Sequence, residues 1–531
     1  MLRSIMSFKN IKSRVLSSLI LIVISSQCFA SEIRIALKNK PDTLDPHRYN
    51  VGNNLQVTSS IYQQLIGDEF GNESLQEGII EDIVLIDQVL NTWQVNLRKN
   101  IKFHNGKELT VEDVIFSIDR IRQLPNSPSS FRQYVEPIVS MTVVDQYRID
   151  MRFKKGYAEF NGDLSKISIV SKPSPTYTHL DNDVSFSGTH FYRLVNYDLE
   201  KNVVELERFD GNRLIENAIK KVNYVFISDD NERMEALINN EVDVVDRLSL
   251  KQIKQLQKKG FKSFTRNTNR VIFLQLDTFR EQTPFITDHK GRSLDTNPLK
   301  DRRVRQAISI AINREQLIES VMDGNANPAG QIFLSGSLLA SKNLKPINHN
   351  LQKARRLMKE AGYKNGFKLT IHGPEGRYIR DKQLINAIAS MLADINIDAQ
   401  AKSLPAKEYF AKALAKHTFS INLLGWAPNV NGSYTFNNLF LPPDRDRQLG
   451  SGNAGRYNNE KLNQLILKAQ ETFDDIYRRQ LYQRASELVI NDVAIIPLHF
   501  QVVNWGMSAK VNYFPKPGTW RTNIASFRLA R

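Results

Sequence analysis

Gly450-Ser451-Gly452-Asn453-Ala454-Gly455 matches the spacing GxGxxG. Such a run can cradle a pyrophosphate, because glycines let the backbone approach the ligand and a helix N-terminus adds amide donors. The chemistry needs a strand leading in and a helix leading out. Here Pro442-Pro443-Asp444-Arg445-Asp446-Arg447 leads in, which is a loop, so the glycines read as a flexible surface loop. The chain contains no HExxH, GxSxG or P-loop pattern. Its nine histidines are scattered, and no pair has metal-ligand spacing on one helix. His104, beside Asn105-Gly106, reads as a turn or surface histidine, and His499, in an apolar run, as a satisfied core or cleft histidine. The acid pairs Glu81-Asp82, Glu112-Asp113 and Asp474-Asp475 fall at predicted helix starts or on solvated faces, where carboxylates cap and complement the helix dipole. No catalytic residue, metal ligand or cofactor site is assigned, and the chain is expected not to be an enzyme.

The elements that would position a binding site are clearer. In Trp93–Arg122, Trp93, Val95 and Leu97 alternate with polar residues as a half-buried strand. Asn105-Gly106 marks a turn. Thr110 then starts a helix as N-cap, with Asp113 in place of the Glu or Gln a capping box prefers. Val111, Val114, Ile115, Ile118 and Ile121 give that helix one apolar face. Further helices are predicted over Leu55–Ile66, Asn231–Asn239, Arg302–Met322, Leu351–Ala361 and Gln383–Asp394, with one or two over Glu460–Ile490. Strands are predicted over Ile33–Leu37, Val203–Arg208, Lys221–Ile227, Glu241–Val245, Val271–Leu276, Lys368–His372, Ser420–Leu424 and Ala494–Val503, and a hairpin over Val143–Phe153. Strands alternate with helices, so the class is α/β. No fixed-period repeat or long low-complexity linker interrupts it.

At 531 residues the chain is too long for one ordinary core and needs at least two lobes. Its hydrophobic content of 41% and charged content of 24% are those of a soluble globular protein. The net charge is +16, but the basic residues are spread in pairs such as Lys220-Lys221 and Arg302-Arg303. A generally basic surface is the better reading than a nucleic-acid patch, and no nucleic-acid partner is expected. Arg3, Lys9, Lys12 and Arg14 precede a mostly apolar Val15–Ile24, too short for a membrane span, and Cys28-Phe29-Ala30 then offers a cut before Ser31. These are the parts of a secretory signal peptide. Its removal takes four positive charges from the +16, leaving +12. The sole cysteine, Cys28, leaves with it, so the mature protein would hold no thiol or disulfide. Cleavage before Cys28, as in a lipoprotein, is the alternative, and Gln27 stands where lipoprotein signals want a small residue. A large, exported, disulfide-free chain suits a bacterial periplasm.

Several blocks together resemble the extracytoplasmic solute-binding proteins of ABC transporters, in the peptide-binding family. They are Leu44-Asp45-Pro46, Thr92-Trp93 through Ile101-Lys102-Phe103-His104-Asn105-Gly106 to Ser117-Ile118-Asp119-Arg120, Arg302–Ile308 with Ala311–Arg314, Ala354–Gly362, Gly425-Trp426, Gly455–Asn459 and Ile495–His499. The resemblance spans the mature chain. It implies two lobes joined by a two-segment hinge, the first formed by 31–73, 185–270 and 505–531, the second by 271–504, with an inserted subdomain at 74–184. It implies capture of a small peptide or peptide-like solute between the lobes and delivery to a permease in the inner membrane, by a protein that is monomeric. The same fold could carry an opine, a sugar-phosphate conjugate or a metal chelate, and an exported chaperone-like protein or a polyanion-binding surface protein are the readings outside transport.

Family members usually carry, after Gly-Trp, an Asp that pairs with the ligand's α-ammonium. This chain reads Gly425-Trp426-Ala427-Pro428-Asn429-Val430-Asn431, with Asn429 in that place. An amide can accept a hydrogen bond from an ammonium but cannot neutralise it, so a free amino terminus is not an implied requirement of the ligand. The resemblance puts Arg377, Tyr378 and Arg380 in a loop facing the cleft, where arginine could clamp a carboxylate. It makes Trp426 a possible aromatic wall. The expected ligand-binding set is therefore Trp426, Asn429, Asn431, Arg377, Tyr378 and Arg380.

Overall fold

A computed structural model of the chain describes residues 32–69, 72–74, 78–125, 127, 130–173, 187–198, 200–212, 219–428, 432–444, 449–515 and 521–530. The signal-peptide segment and most of residues 172–190, a polar and turn-rich stretch of the sequence, lie outside these residues.

The apolar run Val271–Leu276 forms the end of a 15-residue strand, Lys262–Leu276. It pairs antiparallel with Ile495–Met507, a strand buried along its whole length. Ile272, Leu274 and Leu276 enter one apolar cluster and Val271 and Phe273 another. Both faces of the strand are therefore covered, which is why its sequence does not alternate. These two long strands join the halves of one 12-stranded sheet. In one direction follow Val244–Asp246, Glu32–Leu37, Lys221–Phe226, Val203–Arg208 and Tyr192–Asp198; in the other, Ile421–Trp426, Lys368–Glu375 and Ile286–Thr287. The ladder between the two long strands breaks between Asn267 and Val271 and again between Ile272 and Phe273. Such bulges bend a strand and re-aim its side chains, and these lie where the two halves meet.

A separate 4-stranded antiparallel sheet runs in the order Ile80–Asp87, Thr92–Leu97, Arg148–Phe153, Ile138–Asp145. The helix Val111–Gln123 buries Val114, Ile118 and Ile121 in one cluster with Val95, Leu97 and Ile149, as the two periodicities require. Gly106 takes the left-handed turn (φ 86°). Asp113 serves the capping box despite its short side chain, accepting the Thr110 amide at 3.0 Å.

Three local expectations need correction. The helix expected over Leu55–Ile66 is Gly52–Thr58; the chain then turns, and Leu65 donates its amide to Ile167 O at 3.1 Å. Arg302–Met322 is two helices, Arg302–Ala311 and Arg314–Met322. Asn313 breaks it by capping the second, its side chain accepting from the Gln316 amide at 3.0 Å. The glycines at 450–455 are not a flexible surface loop. Residues 452–455 are buried, and the Asn453 side chain donates to Leu441 O and Tyr457 O at 3.0 and 2.8 Å. Among the described residues no strand leads into them; the segment follows the helix Gly432–Leu439.

Candidate functional site

A cavity of about 500 Å³ opens where the two halves of the sheet meet. Lys38, Asp230 and Arg247 line it from the half that contains Glu32–Leu37. Asp323, Arg377 and Tyr378 line it from the other half, and Arg270 and Gln501 stand at the ladder break between them.

The loop 376–380 is held from below. The strand Lys368–Glu375 runs out into Gly376 (φ 75°), and the Asp381 carboxylate gathers the amides of Gly376, Arg377 and Tyr378 at 3.2, 2.8 and 2.9 Å. Burial raises the Asp381 pKa, and those amides oppose the rise. The Tyr378 hydroxyl accepts the Gly425 amide at 2.8 Å. Arg380, with φ 53°, donates to Val321 O and to Asp323 Oδ2, each at 2.5 Å. Its guanidinium is thus committed to protein partners at the rim.

Gly425 fits only as glycine. A Cβ there would lie 2.6 Å from Tyr378 Cε1 and 2.8 Å from Ile272 Cδ1. Gly425→Ala is expected to cost about 1–3 kcal/mol through overpacking and to displace the Tyr378 ring from the cavity wall. Thermal denaturation and ligand titration on the same sample check this; an unchanged affinity would show that Tyr378 does not shape the site.

Three arginines dominate the cavity's electrostatics. Burial, followed by the charges of Arg377 and Arg247, holds the Arg270 pKa down at about 9 despite nearby tyrosines. Burial also lowers that of Arg247, against the pull of Asp246, whose Oδ2 is 3.4 Å from Arg247 Nε. The Arg377 guanidinium carbon lies 5.9 Å from the centre of the Tyr378 ring.

Of the ligand-binding residues expected from the sequence, Arg377, Tyr378 and Arg380 line the cavity together. Trp426 is not among its lining residues. Its ring stacks on Tyr434 with centroids 4.9 Å apart, and its indole N–H donates to Thr435 Oγ1 at 3.2 Å. Asn429 and Asn431 lie outside the described residues. Arg247 and Arg270 line the cavity as well and were not expected there from the sequence. The signal for Arg270 was present, since it is a cation placed directly before the apolar run Val271–Leu276.

Among the described residues the histidines stand apart from this site. Burial pushes His104 and His499 down to about 4, and His104 Nε2 bonds His190 O at 3.0 Å. Among the described residues no group of three His, Cys, Asp or Glu side chains is placed to hold a metal ion, and no helix is long and apolar enough to cross a membrane.

Residues 76–448 match the family of bacterial extracellular solute-binding proteins, family 5 (middle). The chain is 24% identical over 480 residues to the glutathione-binding protein GsiB of Escherichia coli O1:K1, covering 88% of this chain and 89% of that protein. It is similar in structure to the periplasmic binding protein DppA of Helicobacter pylori in complex with the peptide STSA, with a TM-score of 0.76, 21% identity, and 94% and 98% of the two chains covered. It is also similar to AgaA of A. tumefaciens R10 in complex with agropinic acid, with a TM-score of 0.74, 20% identity, and 94% and 99% covered. The likeness to both structures shows a two-lobed binding-protein fold.

Proposed function

The chain belongs to the bacterial extracellular solute-binding proteins, family 5, and on that premise we propose that it captures a small peptide or peptide-like solute between its lobes. It is the solute-binding component of an ABC importer, and the members of its family are binding proteins rather than enzymes. The observation that carries the reading is the cavity, lined from both halves of the sheet and from the break between them. A solute there touches both lobes only when they close, so binding shifts the population toward the closed form. The permease would dock on that form. The relation to GsiB supports a peptide-like ligand, and the likeness to AgaA keeps an opine as the second reading.

We also assign the first lobe to 31–73, 185–270 and 505–531, the inserted subdomain to 74–184 and the second lobe to 271–504. The order of the sheet and the break after Asn267 support that division. The mature protein would begin near Ser31, in the periplasm, and act as a monomer. Calorimetric titration with di- to pentapeptides, glutathione and opines tests the cargo. Heat with a peptide or with glutathione is expected; heat with opines alone would replace peptide by opine. Mass spectrometry of the protein purified from periplasm would read any bound solute and the mature N-terminus together.

A further inference from the structure

The cavity is lopsided in charge. Six of its lining side chains are cationic and three are carboxylates. The carboxylates are already engaged. Asp230 Oδ1 accepts Lys38 at 3.0 Å and Arg233 at 2.8 Å. Asp323 accepts Arg380. Asp229 caps the helix Asp230–Ile238, accepting the Asn231 and Glu232 amides at 2.8 and 3.0 Å. Asp246, the neighbour of Arg247, also accepts the Lys38 amide at 3.2 Å and stands 3.8 Å from Arg233. Meanwhile Arg377 adds its positive charge to burial in lowering the pKa of both Arg247 and Arg270. Like charges gathered away from bulk water repel one another, and a further anion among them relieves that repulsion.

The backbone carries a second, independent sign. Arg247, Asp323 and Arg380 line the cavity with φ of 56°, 51° and 53°. A residue with a Cβ is disfavoured in that left-handed region. Such strain persists where the surrounding fold holds it, and it gathers at ligand clamps.

We propose that the cleft is built for a small solute bearing at least two anionic groups, gripped by Arg247 from the first lobe, Arg270 from the hinge and Arg377 from the second lobe. This rests on the solute-capture reading above and gives its cargo a chemical class. One guanidinium forks onto the two oxygens of one carboxylate. Three guanidinia converging from separate parts of the fold need more acceptors than one carboxylate presents. Carboxylates of an acidic peptide and the phosphate of a conjugate supply the same chemistry. Because the three arginines belong to parts that move relative to one another on closure, the dianion would also hold the lobes together.

The test is calorimetric titration with four probes: glycyl-glutamate, its amide isostere glycyl-glutamine, glutarate and glucose 6-phosphate. Glycyl-glutamate is expected to bind about 10- to 100-fold more tightly than glycyl-glutamine, with an advantage that shrinks as salt is added. Arg247→Gly removes one guanidinium while suiting the left-handed backbone, so its melting temperature should hold while the preference for glutamate falls toward parity. Arg270→Gln should do the same to the preference. Equal binding of the two dipeptides, or a preference unchanged in both variants, overturns the dianion site and leaves peptide capture standing. Binding of glutarate or glucose 6-phosphate without either dipeptide supports the dianion site and overturns peptide capture, and the tighter of the two identifies the anion. Heat from none of the four overturns both.

Discussion

Replacing Arg120 by alanine is expected to destabilise the protein by about 3–5 kcal/mol, the range for breaking a buried ion pair by removing one partner. The two parallel bonds run from Arg120 Nη1 to Asp45 Oδ1 at 2.8 Å and from Nη2 to Asp45 Oδ2 at 2.5 Å. Both side chains are buried, 7% and 4% exposed, so the orphaned carboxylate would have no water to turn to. Nη1 also reaches His47 Nδ1 at 3.0 Å, while His47 Nε2 bonds Ser168 O at 2.7 Å. Nε2 therefore carries the proton and Nδ1 accepts, which is the neutral imidazole.

Burial and then Arg120 hold the His47 pKa down at about 4. Burial pushes Asp45 up, but the hydrogen bonds and charge of Arg120 outweigh it and leave the carboxyl below its ordinary value. Both signs make the pair acid-sensitive. An unfolded His47 takes up a proton near its ordinary 6.5 that the folded one refuses until about 4, so stability falls as pH drops through that window. Asp45 adds its own loss lower down, as pH falls from its ordinary 3.8 through its folded value. Denaturation midpoints of the parent and Arg120→Ala proteins at pH 7 check the magnitude. A loss below about 1 kcal/mol, the range of an exposed pair, would mean that water reaches Asp45.

The second large effect falls on affinity. Glu159 precedes the short helix Phe160–Leu164, in the segment next to the 4-stranded sheet. Its Oε1 accepts the Gly432 amide at 3.1 Å, and its Oε2 accepts the Tyr482 hydroxyl. Around this contact, Ala158 donates its amide to Gln470 O at 3.0 Å, Asn438 Nδ2 donates to Gln133 Oε1 at 3.0 Å, and the Tyr134 and Tyr434 rings stand 5.8 Å apart. These contacts fasten the segment that carries the 4-stranded sheet onto the helices Gly432–Leu439 and Asp475–Asn491 and their surroundings. Glu159→Ala would take the carboxylate from two buried donors, at a cost of about 1–3 kcal/mol. Where that contact belongs to the closed form, affinity weakens about 10- to 100-fold.

Glu159→Gln keeps an acceptor and should lose less. Burial raises the Glu159 pKa above its ordinary 4.5 despite its hydrogen bonds. The docked carboxyl holds its proton to higher pH than the undocked one, so the latch tightens as pH falls toward 4.5 from above and slackens as pH rises through the docked value. Titration of both variants across that range is the measurement. Unchanged affinity in Glu159→Ala would show that the lobes close without this contact.

What could be read along the chain was whatever depends on near neighbours. The alternation of Trp93, Val95 and Leu97 and the helical spacing of Val111 to Ile121 each follow from one element resting on one core, and they became the strand Thr92–Leu97 and the helix Val111–Gln123. The nearly continuous apolar run Val271–Leu276 was legible because a strand covered on both faces keeps few polar positions, here Gln275 alone. Element ends were less legible where a single side chain decided them, as Asn313 does inside a continuous helical pattern.

The blocks behind the family resemblance were visible one by one, but their relation was not. Leu44-Asp45-Pro46 and Asp119-Arg120 look like separate motifs until folding sets Asp45 against Arg120. The site divides in the same way. Arg377, Tyr378 and Arg380 were within reach of the sequence because they share one loop, tied to a single carboxylate at Asp381. Arg247 and Arg270 were not, because what makes an arginine part of a binding site is the company of other charges away from water. That company is assembled by two long strands and the break in their ladder. Local patterns along the chain were enough for most of the elements and for the family to which they belong. It took folding to bring three cations from three parts of the chain to one cavity, since Coulomb interaction acts through space and not along the backbone.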